Sequence, residues 1–173
     1  MVRKLRTGKD EAAIVAEQQA LEQYVPDLHN WPASWRVDDE DISTGQAIVA
    51  ILTPFLEHLL TLGYARNTLL RHRDHIWMLG GEMIRRRHED PDLLTLPVAT
   101  LLDKLIEEDG GPLIWPAISE SAQNAFDATC RKLYQYLNQA SLCEARTILH
   151  PQIPPTIPTK RPGQGLRMKA HVR

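Results

Sequence analysis

The sequence predicts an all-α protein: a compact bundle of four to five helices, preceded by one amphipathic helix and followed by an extended tail. Three observations carry this. Apolar residues recur at three- and four-residue intervals over long stretches, the signature of a helix with one buried face. Glycine is sparse, 9 in 173 residues. The long periodic segments largely avoid proline, and four of the 12 prolines fall between 151 and 158.

Residues 7–24 read as the first helix, with Thr7 and Asp10 as a weak capping box and Pro26 as the stop. Its apolar stripe (Ile14, Ala20, Leu21) is modest. Residues 26–41 read as irregular, holding Trp31, Trp35 and the acidic run Asp38-Asp-Glu-Asp41. Two tryptophans are costly to leave in water, so they are expected to anchor this loop to the core.

Ser43 or Thr44 can cap a long helix to Leu62, with Pro54 either kinking it or opening a new one. Ile48, Ile51, Leu52, Phe55, Leu56, Leu59 and Leu60 form its buried face. Gly63 suits its C-terminal cap. Asn67 is expected to cap a second helix from Thr68 to about Arg87, with Leu69, Ile76, Leu79, Met83 and Ile84 inward. Gly80-Gly81 inside that helix costs roughly 1 kcal/mol per glycine against alanine, and points to a bend or a close crossing.

Pro91 closes the segment, and Pro97 opens a short helix over 98–108 that Asp109-Gly-Gly-Pro112 breaks. Ser119 caps a last helix to about Asn138, with Phe126, Cys130, Leu133 and Leu137 on one face. Beyond Leu149 the chain reads as extended and basic, because its prolines forbid a helix. The predicted organisation is therefore a basic arm, helix and Trp-containing loop over 1–42, a helical body over 43–149, and a basic tail over 150–173.

No run approaches the roughly 18 apolar residues that a membrane span needs, and no signal core follows the basic N-terminus. A cytoplasmic protein without membrane partners is the expectation. Cys130 and Cys143 lack metal-ligand spacing, and Cys130 reads as a buried small hydrophobe. The net charge of −2 hides a segregation: 1–9 carry +4, 151–173 carry +5, and the stretch between carries −11. Basic arms on an acidic body supply phosphate contacts that weaken with salt.

Placed at 100° per residue, Arg71, Asp74, His75, Met78, Glu82 and Arg85 lie opposite the Leu69/Ile76/Met83 stripe, a face of mixed sign. Arg66 and Asn67 sit where unpaired helix N–H groups favour anions. With Arg71 and Arg73 they are the leading phosphate contacts, joined by Arg131 and Lys132 on the last helix and Lys160 and Arg161 in the tail. His72 and His75 form at most half a metal site, and nothing nominates further ligands, so neither metal nor cofactor is expected. Arg85-Arg-Arg87 with His88 reads as helix-end electrostatics, and the 38–41 run as a solvated loop. No phosphate loop, HExxH or GxSxG occurs, and no enzyme activity is expected.

Phe55-Leu56 near a helix start, Gly63-Tyr64 at the turn, Thr68 at the restart, and Arg131 with Tyr134 and Leu137 in a final helix resemble the N-terminal core-binding (SAM-like) domain of tyrosine recombinases and phage integrases. The resemblance covers roughly residues 44–140. It implies an orthogonal helical bundle that clamps DNA, with DNA and a full recombinase as partners. His72 stands where that family often has an aromatic residue, and Gly80-Gly81 is a further departure. The residues after Ala140 are too few for the catalytic domain, and Tyr134 and Tyr136 lack an arginine–histidine pocket. The implied function is a non-catalytic DNA-binding or accessory protein linked to mobile DNA. The alternatives are a protein–protein interaction module acting on a recombinase or other partner, and a catalytically dead integrase remnant.

Overall fold

The computed structural model describes residues 8–149, with side chains from 12 to 139. Seven α-helices are found there: α1 (Gly8–Tyr24), α2 (Trp31–Trp35), α3 (Asp41–Thr61), α4 (Arg66–Glu89), α5 (Pro91–Leu94), α6 (Val98–Leu105) and α7 (Glu120–Leu149). A 3-10 turn, Leu28–Asn30, leads into α2. The described residues form an all-α bundle with no strand, only an isolated bridge between Glu107 and Gly110. The Thr7/Asp10 capping box and the tail lie outside the described residues.

The core is built where α3, α4 and α7 turn their periodic faces together. Ile48, Leu52, Phe55, Leu56 and Leu59 of α3 meet Ile76, Leu79, Met83 and Ile84 of α4 and Phe126, Cys130 and Leu133 of α7, all buried. Each large side chain so buried contributes about 1.5–3 kcal/mol over leaving it in water. Leu101, Leu102 and Ile106 close one side. Pro54 lies inside the single helix α3 rather than dividing it. Gly63, with φ +67°, ends α3 in the left-handed region that a side chain disfavours.

Five boundaries differ from the sequence reading. Residues 31–35 are helical, not irregular: Pro32 occupies the first helical turn, where its missing N–H costs nothing. Trp31 and Trp35 are buried in the same core, ring centroids 5.7 Å apart, as the anchoring argument required. Helix α3 begins at Asp41, ahead of Ser43 and Thr44, because the acidic run itself builds the helix start. Asp38 Oδ1 accepts from the N–H groups of Glu40 and Asp41 at 3.0 and 3.3 Å. Asp41 Oδ2 accepts from those of Val37 and Asp38 at 2.8 and 3.1 Å. Asp38, Asp39 and Glu40 thus stay exposed in a turn, as a solvated loop would, while the buried Asp41 makes the end of the run a helix clamp.

Helix α4 starts at Arg66, with the Ala65 carbonyl accepting from the N–H groups of Thr68 and Leu69, so Asn67 lies within the first turn and does not cap it. Helix α6 stops at Leu105, since Ile106 adopts an extended conformation to bury its side chain. Ser119 caps α7 as expected, its Oγ accepting from Ala122 N–H at 3.2 Å, but the helix runs on to Leu149.

Gly80 and Gly81 mark a close approach. A Cβ on Gly80 would lie 2.3 Å from the Trp35 ring, so α2 can press its indole onto α4 only where that side chain is missing. Trp35 Nε1 is left buried with no hydrogen-bond partner.

Candidate nucleic-acid interface

Helix α4 packs against α2, α3, α5, α6 and α7, so much of its circumference is covered. The expected outer face holds in part: Arg71 and Asp74 are exposed, but its other members are drawn in. Glu82 is 4% exposed and His75 half-buried, because α4 is central and not peripheral. Glu82 accepts from Arg85 Nη2 at 2.6 Å and Arg86 Nε at 2.7 Å. Burial disfavours its charge, but these two guanidinium groups outweigh that and hold its carboxyl below the usual range. Arg85 also reaches Glu89, and Arg87 donates to the Leu94 and Leu96 carbonyls. The arginine triplet is therefore committed to the protein's own acceptors, which extends the helix-end reading.

His72 and His75 meet at a protein hydroxyl. Both aim Nδ1 at Thr129 Oγ1 on α7, at 2.8 and 2.7 Å. Burial, then the Lys132, Arg71 and His75 charges, push His72 down to about 4. Asp38, Asp41 and His88 do gather donor atoms within 4.8 Å of one another. Asp41 is nonetheless satisfied by two backbone N–H groups and by His88 Nε2 at 2.9 Å. Cys130, pushed up to about 12 by burial and then by Asp127, is an inert thiol.

The sequence-predicted cations separate in the structure. Arg73 is bridged to Asp74 at 2.6 Å. Arg131 donates to the Asp109 carbonyl at 2.9 Å. Lys132 places Nζ 5.5 Å from the Tyr64 ring centre, a cation–π contact that leaves its charge unneutralised. Arg66 and Arg71 are exposed and make no hydrogen bond or ion pair among the described residues. Arg66 and Arg73 line one hollow of about 410 Å³ beside α1 with Tyr24, Pro26 and Leu70. Arg71 faces the other way, near His72 and His75 at the α7 seam. Lys160 and Arg161 lie outside the described residues.

Arg66, Arg71 and Lys132 lie on two stretches of chain that lack carboxylates. Residues 58–73 contain no Asp or Glu, and neither do 128–143. The first stretch spans the end of α3, the Gly63 turn and the start of α4; the second lies within α7. Packing brings the two together: Tyr136 stacks on His58 at 4.9 Å and tilts against Phe55 at 5.6 Å, and Lys132 covers Tyr64. Between them is a hollow of about 150 Å³ lined by His58, Tyr64, Lys132, Gln135, Tyr136 and Gln139 with Phe55, Leu59 and Leu62. On the α1 side Glu17 and Glu57 bound the region. The uncapped N-terminus of α4, with Arg66 and Asn67 in its first turn, lies in the first of these stretches. Chemically, the arrangement offers arginine, lysine, amide and phenol donors to an anion.

The paired acid-free stretches were readable in the sequence as a gap in an otherwise acidic body, but not their juxtaposition. No protein-family model, curated protein or solved structure matches this chain.

Proposed function

We propose that this chain is a non-catalytic DNA-binding or accessory protein. It grips backbone phosphates with the end of the bundle formed by the α3–α4 turn and α7, in the manner of the DNA-clamping domain of site-specific recombinases. One observation carries the reading: the body is acidic overall, yet two stretches devoid of acid pack against each other and hold three cations without an ion-pair partner among the described residues, Arg66, Arg71 and Lys132. Arg66, Arg71 and Lys132 are the gripping residues. Arg73 and Arg131, tied to Asp74 and the Asp109 carbonyl, are secondary, and Asn67, Gln135 and Gln139 supply neutral donors to phosphate and sugar oxygens. The basic tail, with Lys160 and Arg161, adds sequence-independent attraction. The acidic remainder orients the molecule by repelling DNA from every other side. Work beside a full recombinase, on mobile DNA, completes this reading.

The test is a fluorescence-anisotropy titration with duplex DNA at low and physiological salt, on the full chain and on a chain ending at residue 149. Three phosphate contacts give a salt slope of about −3 in log K against log salt. Salt-sensitive binding that survives removal of the tail supports the body as the clamp. Binding lost entirely with the tail, or absent at low salt, rejects it. A protein–protein role is favoured by a separate feature, the exposed Leu113 and Trp115 at the opposite end of α7.

A further inference from the structure

Leu113 and Trp115 are 76% and 68% exposed, two positions apart in a stretch without helix. They border a groove of about 670 Å³ whose walls include Ile114 and Ile118, the paired Arg85 and Glu89 with Arg86 on α4, and Glu120 of α7. The segment is not loosely attached. Gln123 accepts from Ile114 N–H at 3.2 Å and donates to the Pro112 carbonyl at 3.1 Å. Gly111 N–H donates to Asp127 at 3.2 Å. A fixed loop that holds a tryptophan in water beside an apolar groove has the character of surfaces that take an extended proline-rich ligand.

The chain carries such a ligand. Pro151-Gln-Ile-Pro154-Pro155-Thr-Ile-Pro158 is two consecutive PxxP units, followed by Lys160-Arg161. Prolines at this spacing pre-form the extended helix that aromatic grooves accept at low entropic cost. Glu82 and Glu89 hold Arg85 and Arg86, which leaves Glu120 as the groove's unpaired carboxylate among the described residues, and the basic pair matches it. The same chain cannot supply it. From Asn124, in the groove, to Leu149 the helix α7 advances about 37 Å. The nine residues from Leu149 to Pro158 reach back at most about 32 Å when fully extended.

We infer that the groove bordered by Leu113 and Trp115 binds the proline-rich segment 151–158 of a second copy of this chain, in a reciprocal tail-exchanged dimer. Two equivalent contacts close the pair, so association stops at two. The dimer presents two acid-free ends, but its existence does not depend on the DNA reading.

The experiment is sedimentation of the full chain over a wide concentration range, with three comparisons. Wild type is expected to pass from monomer to dimer. Trp115→Ala, at an exposed position, and Pro154→Ala/Pro155→Ala are each expected to stay monomeric with unchanged helical circular dichroism. Mixing those two variants restores a heterodimer through one intact groove and one intact tail. It should be weaker than wild type by about 10²-fold or more, because the second contact is no longer intramolecular. A wild type that is monomeric throughout overturns the inference. So does a dimer that survives either variant, or a mixture of the two that fails to associate.

Discussion

His72 holds Nδ1 2.8 Å from the hydroxyl of Thr129, across the seam between α4 and α7, and both residues are buried. His75 claims the same oxygen at 2.7 Å. A hydroxyl has one hydrogen. At most one imidazole can receive it on a bare Nδ1, so at least one of the two rings donates from a protonated Nδ1. Removing the hydroxyl with its shape kept, as in Thr129→Val, leaves two ring nitrogens without a partner. We expect a loss of about 1–3 kcal/mol at neutral pH, read from urea unfolding midpoints. A midpoint that does not move would show the triad to be incidental.

The same pair makes the fold acid-sensitive. His72 is pushed down to about 4 by burial and by the Lys132 and Arg71 charges, and His75 is lowered by burial and Arg71. The unfolded chain takes up these protons near pH 6.5, before the folded one can. The stability involved is fully present above that pH and drains as pH falls toward 4. His72 alone accounts for about 3 kcal/mol. Unfolding midpoints should fall between pH 7 and pH 5 in the wild type, and less steeply in His72→Gln. Equal slopes in the two proteins would remove His72 from the account.

Gly80 and Gly81 give a prediction of contrast. Alanine is worth about 1 kcal/mol more than glycine inside a helix. At Gly80 that gain is overwhelmed, since the new Cβ would meet the rigid Trp35 ring at 2.3 Å and α2 would have to lift. Gly80→Ala should lose about 1–3 kcal/mol. At Gly81 the nearest atom is Trp35 Cδ1 at 3.3 Å, and a shift of a few tenths of an ångström suffices. Gly81→Ala should therefore change stability far less. Thermal melts of the two variants side by side decide this, and equal destabilisation would mean that Trp35 is not the cause.

How far the sequence revealed this architecture follows from which forces are local. The faces of α3 and α7 were legible because their buried residues repeat at helical spacing, and Gly63 and Ser119 because turn and cap chemistry is local. The α2 helix hid behind its prolines and tryptophans, though Pro32 in a first turn was a usable sign. What periodicity could not supply was the position of α4 among five partners. Glu82 and His75 look outward in a helix with one buried face, and only the packing of α7 and the Arg85/Arg86 pair turns them in. Thr129 lies 57 residues from His72, and no sequence pattern links them. The cations were legible as charges, but whether each was already spent, as Arg73 is on Asp74, was not.

That distinction between spent and unspent charge gives the sharpest test of the DNA reading. Arg66 and Arg71 have no ion-pair partner among the described residues, and Lys132 only an aromatic ring. Each should reduce the salt slope of DNA binding by about 1 when replaced by alanine, and weaken binding evenly across sequences. Lys104 is exposed, as Arg66 and Arg71 are, but sits among Asp103, Glu107, Glu108 and Asp109, where DNA is repelled. Lys104→Ala should leave both affinity and slope unchanged. The comparison holds total charge constant, since every variant loses one cation. If Lys104→Ala weakens binding as much as Arg66→Ala, attraction is a property of net charge alone and the acid-free end is not an interface. If only the variants at the α3–α4–α7 end lower the slope, the phosphates are held there.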